Sequence, residues 1–187
     1  MGANRACRPS AMQIELNKRI VASRDAESIL AIVEKDHGAF NAVNAATACN
    51  RLAKTRHGSS RSPRMDDRRV QTLLSTVTRV AAGMVGQNVA NTLWALATLG
   101  WQAGKGSVRC ALEGAAVRLA PSMKPQEVAN SLWALATLGW QAGENAMRCA
   151  LEGAAVRVAP SMNAQDVANT LWALDRKSTR LNSSHRT

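Results

Sequence analysis

The chain has 187 residues, is 46% hydrophobic and carries a formal net charge of +11 at pH 7. That length and apolar content suffice for one continuous core, and no run approaches the ~20 apolar residues of a membrane-spanning helix. Four cysteines without a Cys-x-x-Cys pair, and only three histidines, exclude a zinc site or a disulfide framework as the organising feature.

In chain order, residues 1–10 are expected to be disordered. Arg5 and Arg8, with no acid among the first fourteen residues, make a short transit-like signal, and Met1-Gly2 fails as an acylation site because Ala6 stands where Ser or Thr is needed. A first helix is expected through Leu16 and Ile20. Asp25 then caps a second that carries Ile29, Leu30, Ile32 and Val33 and stops at Gly38. AATACNRLAK at 45–54 reads as a third helix and 68–82 as a fourth. Between them, residues 55–67 form an expected flexible basic loop rich in Ser, Gly and Pro.

From residue 84 the chain repeats. ANTLWALATLGWQAG at 90–104 returns as ANSLWALATLGWQAG at 129–143 and starts again as ANTLWAL at 168–174, a period of 39 residues. Units 84–122 and 123–161 differ at nine positions. Each begins with a helix bearing Val89, Leu93, Leu96 and Leu99 on one face, or their counterparts. Gly100 and Trp101 suit a Schellman stop, with Trp101 folding back on Leu96, and Gln102, Ala103 and Gly104 make the turn. A second helix from about Ser107 to Ala120 carries Val108, Ala111, Leu112, Ala115 and Leu119, and Pro121 ends it. Arg79, Arg118 and Arg157 share the period, and Leu73 and Met84 extend it upstream, with an insertion before residue 68. Gly114 and Gly153 sit inside second helices, where close packing of Ala-rich faces is the expected compensation.

A repeat of this length cannot bury its apolar face alone, so copies stack. The expected fold is all-α, a right-handed α-solenoid of 39-residue helix-turn-helix repeats over 11–174, roughly four stacked pairs with 162–174 a truncated last unit. After Leu174 the repeat breaks abruptly. DRKSTRLNSSH at 175–185 resembles a translated sequencing-library adapter, so 175–187 is expected to be non-native; an alternative exon or a frameshift is the other account.

Charge is uneven. Residues 1–83 hold 14 basic and 7 acidic side chains, whereas 84–174 hold 6 and 5. The excess centres on 51–69, where Arg61, Arg64, Arg68 and Arg69 are candidate phosphate contacts, against the plainer reading of a solvated insertion. Cys110 and Cys149, equivalent in successive second helices, are expected to be buried as small hydrophobes. His37, His57 and His185 pair with no nucleophile or carboxylate at motif spacing, and GWQAGKGS at 100–107 lacks P-loop spacing. No catalytic residue, metal or cofactor is expected, and no small-molecule substrate.

Stacked helix pairs line an inner face with one helix each, a surface suited to an extended polymer. On the first helix, Asn88, Glu127 and Asp166 vary between copies, as residues that read a base should, and Glu or Asp can accept from cytosine while Asn pairs with adenine. The competing account places these residues in a first turn, where acids complement the helix dipole. Asn91, Asn130 and Asn169 do not vary and suit an inter-repeat hydrogen-bond ladder, with RNA contact as the alternative. Thr92 and Lys124 complete the candidate set. The tryptophans are expected to pack in the core rather than stack on bases.

AN(T/S)LWALATLGW on the first helix of this unit resembles the octotricopeptide repeat, and FNAVNAATACNRLAK at 40–54 looks like a degenerate opening repeat of related proteins. Helical-repeat subunits of the RNA-editing substrate-binding complex are similar, and many relatives end in a RAP domain, which these residues lack. The resemblance implies single-stranded RNA binding in RNA processing, stability, translation or editing, within a mitochondrion or plastid, with protein partners in such a complex. The alternative is a protein-binding scaffold of the same fold, in keeping with the near-neutral repeats.

Overall fold

Apolar residues at helical spacing become helices throughout the part of the chain that the computed structural model describes, residues 8–55, 64–101, 106–140 and 146–183, with side chains as far as Asp175. Among these residues there are nine α-helices and no strand. They are α1 (Ala11–Ala22), α2 (Ala26–Asp36), α3 (Ala42–Thr55), α4 (Arg68–Val80), α5 (Gly86–Thr98), α6 (Ser107–Leu119), α7 (Pro125–Leu138), α8 (Ala146–Val158) and α9 (Ala164–Ser183). The expected loop at 55–67, the turn at 102–104, Cys7 and the N-terminal stretch fall wholly or largely outside the described residues.

The helices form two rows. In one, α3 packs on α1 and α5, and α7 packs on α5 and α9; in the other, α4 packs on α2 and α6, and α6 on α8. A single apolar cluster from Leu16 to Ala173 runs between the rows, with Ile20, Ile29, Leu93, Leu112, Leu132 and Leu151 at or close to complete burial.

Ends are defined by local chemistry. Asp25 accepts the Ser28 N–H at 2.8 Å and starts α2; Asp67 accepts the Arg69 N–H at 2.8 Å and starts α4. Gly100 and Gly139 adopt φ of 71° and 70°, the left-handed conformation that costs glycine least. The following Trp101 and Trp140 N–H groups then reach back to Leu96 O and Leu135 O at 2.9 and 3.1 Å, the expected Schellman closure. Both tryptophans are buried, and their rings meet edge to face at 5.9 Å, which locks one unit's turn against the next. The Arg109 guanidinium lies over the Trp140 ring at 5.0 Å.

A second lock uses the periodic arginines. α2, α4, α6 and α8 each end in a short 3-10 corner whose carbonyls lack helical partners. Arg79 donates to His37 O at 2.8 Å, Arg118 to Ala82 O at 3.2 Å, and Arg157 to Met123 O at 2.8 Å and Ala120 O at 3.1 Å. Each guanidinium thus clasps the corner of the preceding helix pair.

Two expectations are corrected. Cys110 and Cys149 are exposed, because they lie on the outer face of α6 and α8, off the Val108–Leu112 stripe; Cys49 is buried. Gly114 and Gly153 do not serve close packing, since a β-carbon at either position meets nothing within 4 Å.

Candidate functional site

Every helix of the first row begins with the same problem, backbone N–H groups without intrahelical acceptors. The third helical residue solves it each time by reaching back to the residue before the helix. Gln13 Oε1 accepts the Ser10 N–H at 3.0 Å, and Asn44 Oδ1 accepts that of Asn41 at 3.2 Å. Asn88 Oδ1 takes the Val85 N–H at 3.2 Å, Glu127 Oε2 that of Lys124 at 3.0 Å, and Asp166 Oδ2 that of Asn163 at 3.3 Å. The positions that vary between copies, expected to read bases, are therefore capping groups.

Asn88 is buried, and Thr92 is completely buried with its hydroxyl donating to Asn88 O at 2.8 Å. Both are withdrawn from any surface, which corrects their assignment as contacts. The invariant asparagines are corrected in the opposite sense. The side chains of Asn91 and Asn130 make no hydrogen bond among the described residues, so no ladder joins them; they stand half-buried in the wall of a groove. Asn169 is half-buried too and accepts from Gln165 Nε2 at 3.0 Å.

The groove crosses the first row and has a volume of about 560 Å³. α3 contributes Asn50 and Lys54; α5 contributes Gln87, Ala90 and Asn91; Lys124 and the first turns of α7 contribute Gln126, Glu127 and Asn130; Ser161 and Asp166 close the far side. Its chemistry is amides and two exposed lysines, with two carboxylates already engaged in caps. Gln87 and Gln126 were not among the expected contacts, although their invariance at the 39-residue period, continued by Gln165 outside the groove, was as clear as that of the asparagines. Asn50 and Lys54 carried no such signal, because the insertion after α3 breaks the register.

Glutamine, asparagine and tryptophan at spacings of four and three residues share one helix face. Trp94 and Trp133 are partly buried against the core, as expected, whereas Trp172 is 40% exposed and stacks on Trp133 at 6.1 Å.

Of the basic candidates, Arg68 and Arg69 lie elsewhere, against the second row. Arg69 binds Glu27 of α2 and Asp67, Arg68 binds Glu34 at 2.6 Å, and Arg64 binds Asp66 at 2.8 Å. The Arg69 guanidinium holds the Glu27 carboxyl below the ordinary carboxylate range, and Arg69 with its own backbone N–H does the same for Asp67. Arg64 lowers Asp66 likewise. Arg61 lies outside the described residues. Thus the structure brings Asn91, Lys124, Glu127, Asn130 and Asp166 together and leaves Arg64, Arg68 and Arg69 apart.

Among the described residues no group of three or more His, Cys, Asp or Glu is placed to hold a metal ion, and no helix is long and apolar enough to cross a membrane. Residues 25–159, from the cap of α2 to the end of α8, match the family described as the Tbc2 translation factor, N-terminal domain. Residues 151–171 match a second family, described as a protein of unknown function. No curated protein matches the chain.

Proposed function

Since the chain belongs to the family of the Tbc2 translation factor N-terminal domain, we propose that it binds single-stranded RNA along the amide-lined groove of the first helix row. The two rows are read as a right-handed α-solenoid of 39-residue octotricopeptide-like repeats, acting by binding and without catalysis in these residues. The setting proposed is RNA processing, stability, translation or editing in a mitochondrion or plastid, with protein partners in the same complex. What carries the reading is the groove itself, where unpaired amides of Asn91 and Asn130 recur on neighbouring helices beside the exposed Lys54 and Lys124. Amides suit base edges and lysines suit phosphates.

Fluorescence anisotropy with labelled single-stranded RNA, titrated with salt, tests this. Two groove lysines predict a shallow dependence, a slope of log K on log salt on the order of −1 to −2. A protein-binding scaffold is the competing reading, favoured by the near balance of charge over 84–174. It predicts little affinity for RNA of any sequence at any salt, and that result would sink the proposal.

A further inference from the structure

The outer face of the second row serves neither the core nor the groove. On α6 its outward line is Cys110, Gly114, Val117 and Pro121, and on α8 it is Cys149, Gly153, Val156 and Pro160, all exposed and none charged. The same line on α4 is polar, with Gln71, Ser75 and Thr78, so the apolar face belongs to the two near-identical units. Val156 projects from it with 79% of its surface exposed. One turn away a hollow of about 240 Å³ opens between α6 and α8, lined by Val117, Ala120, Pro121, Ala150, Gly153 and Ala154, with Arg157 the one charged residue of its lining.

A glycine inside a helix costs about 1 kcal/mol relative to alanine. Gly114 and Gly153 recover nothing within the chain, because a β-carbon at either meets no atom within 4 Å. They leave a low floor on which another chain can approach closely. Most of the flanking charge is already engaged: Arg109 pairs with Glu113 at 2.8 Å and Arg148 with Glu152 at 2.6 Å, while Arg118 and Arg157 donate to carbonyls of the preceding corner. A second copy therefore brings few unpaired like charges against this face, although the whole chain stands at +11. Each helix is about 20 Å long and neighbours in contact lie about 8–10 Å apart, so the two-helix face offers roughly 400 Å² per copy. A total of about 800 Å² is less than a permanent dimer needs and fits a reversible one.

We infer that this face joins two copies of the chain about a two-fold axis, Val156 of each seated in the hollow of the other. One face supplies both the projection and the hollow, which is what a self-complementary contact requires. The grooves of the first row stay open on opposite sides of such a pair, so the inference stands apart from the RNA reading. Sedimentation velocity on the full chain from about 1 to 500 µM brackets the dissociation constant, weaker than micromolar, expected of so small a contact. A monomer at the low end and a dimer at the high end are expected. Val156→Lys places an unpaired charge in the hollow and is expected to weaken the dimer on the order of ten-fold or more. Because that side chain is exposed in the single chain, the melt at low concentration should not move. Alkylation of Cys110 and Cys149 is expected to fall as concentration rises in the parent and not in Val156→Lys. A monomer across the whole range, a dimer that Val156→Lys leaves unchanged, or a dimer in which both cysteines stay fully open overturns the inference.

Discussion

Replacing Arg157 by Met removes a guanidinium while keeping most of the aliphatic stem, so the loss falls on the clasp between successive helix pairs. One nitrogen of Arg157 donates to Met123 O at 2.8 Å and Ala120 O at 3.1 Å. Ala120 O keeps a partner, because the Met123 N–H also donates to it at 3.3 Å. Met123 O keeps none among the described backbone groups, and Met123 is only 1% exposed. A hydrogen bond from a charged donor contributes about 1.5–3 kcal/mol, and the exposure of Arg157 places this one toward the lower end once solvent screening is counted. The expected cost is about 1–2 kcal/mol, which for a chain of this size lowers Tm by roughly 2–8 °C. Arg118, whose contacts to Ala81, Ala82 and Met84 are longer at 3.5, 3.2 and 3.5 Å, should cost less when replaced in the same way. Differential scanning calorimetry reads both. A melt for Arg157→Met within about 1 °C of the parent, or a larger loss at Arg118, would refute the clasp.

Other expectations follow from the same geometry. A β-carbon on Gly86 would collide with the Glu127 carboxylate, so Gly86→Ala should destabilise and Glu127→Asp should relieve most of that loss, measured by urea denaturation of the double-mutant cycle. Gly114→Ala meets open space in a helix interior and should stabilise by about 0.5–1 kcal/mol; a lowered urea midpoint would contradict it. Asp25, Glu27, Asp66 and Asp67 all titrate below their ordinary values in the fold, so their stabilisation is present above the unfolded carboxylate pKa and is lost as pH falls through the lower folded ones. The urea midpoint should therefore drop below about pH 4, less steeply in Glu27→Gln. Alkylation mapped by mass spectrometry should label Cys110 and Cys149 in the folded chain and spare Cys49, whose thiol burial pushes up to about 12.

Periodicity made the helices legible. The stops at Gly100 and Gly139 were equally plain, since a glycine before a tryptophan that must bury states its own geometry. The arginine period was visible too, but its purpose was not, because backbone carbonyls some 34 to 42 residues earlier leave no mark in the sequence. The caps were hidden for a related reason. A serine or threonine opening would have announced them, but the acceptor reaches a backbone N–H that any residue supplies, so Val85 and Lys124 serve as well as Ser10. The exposure of Cys110 follows from its register and runs against the average burial of cysteine. Two residues beyond Val108 on a helix is nearly the opposite side.

The variation between copies has a packing explanation that bears on the groove. Where the third residue of the next helix is the longer Glu127, the facing position is Gly86, and there is no room for more. One unit on, the corresponding positions are Pro125 and the shorter Asp166, both in the groove wall. The changes at 86 and 88 thus compensate across the stack, from one helix start to the next. A cap long enough to need a glycine beside it fits one neighbour better than another, so near-identical units are not interchangeable in order. Packing at the helix starts accounts for the paired changes at 86 and 88. The side chains of Asn91 and Asn130 hold their places without stabilising the stack by any hydrogen bond among the described residues.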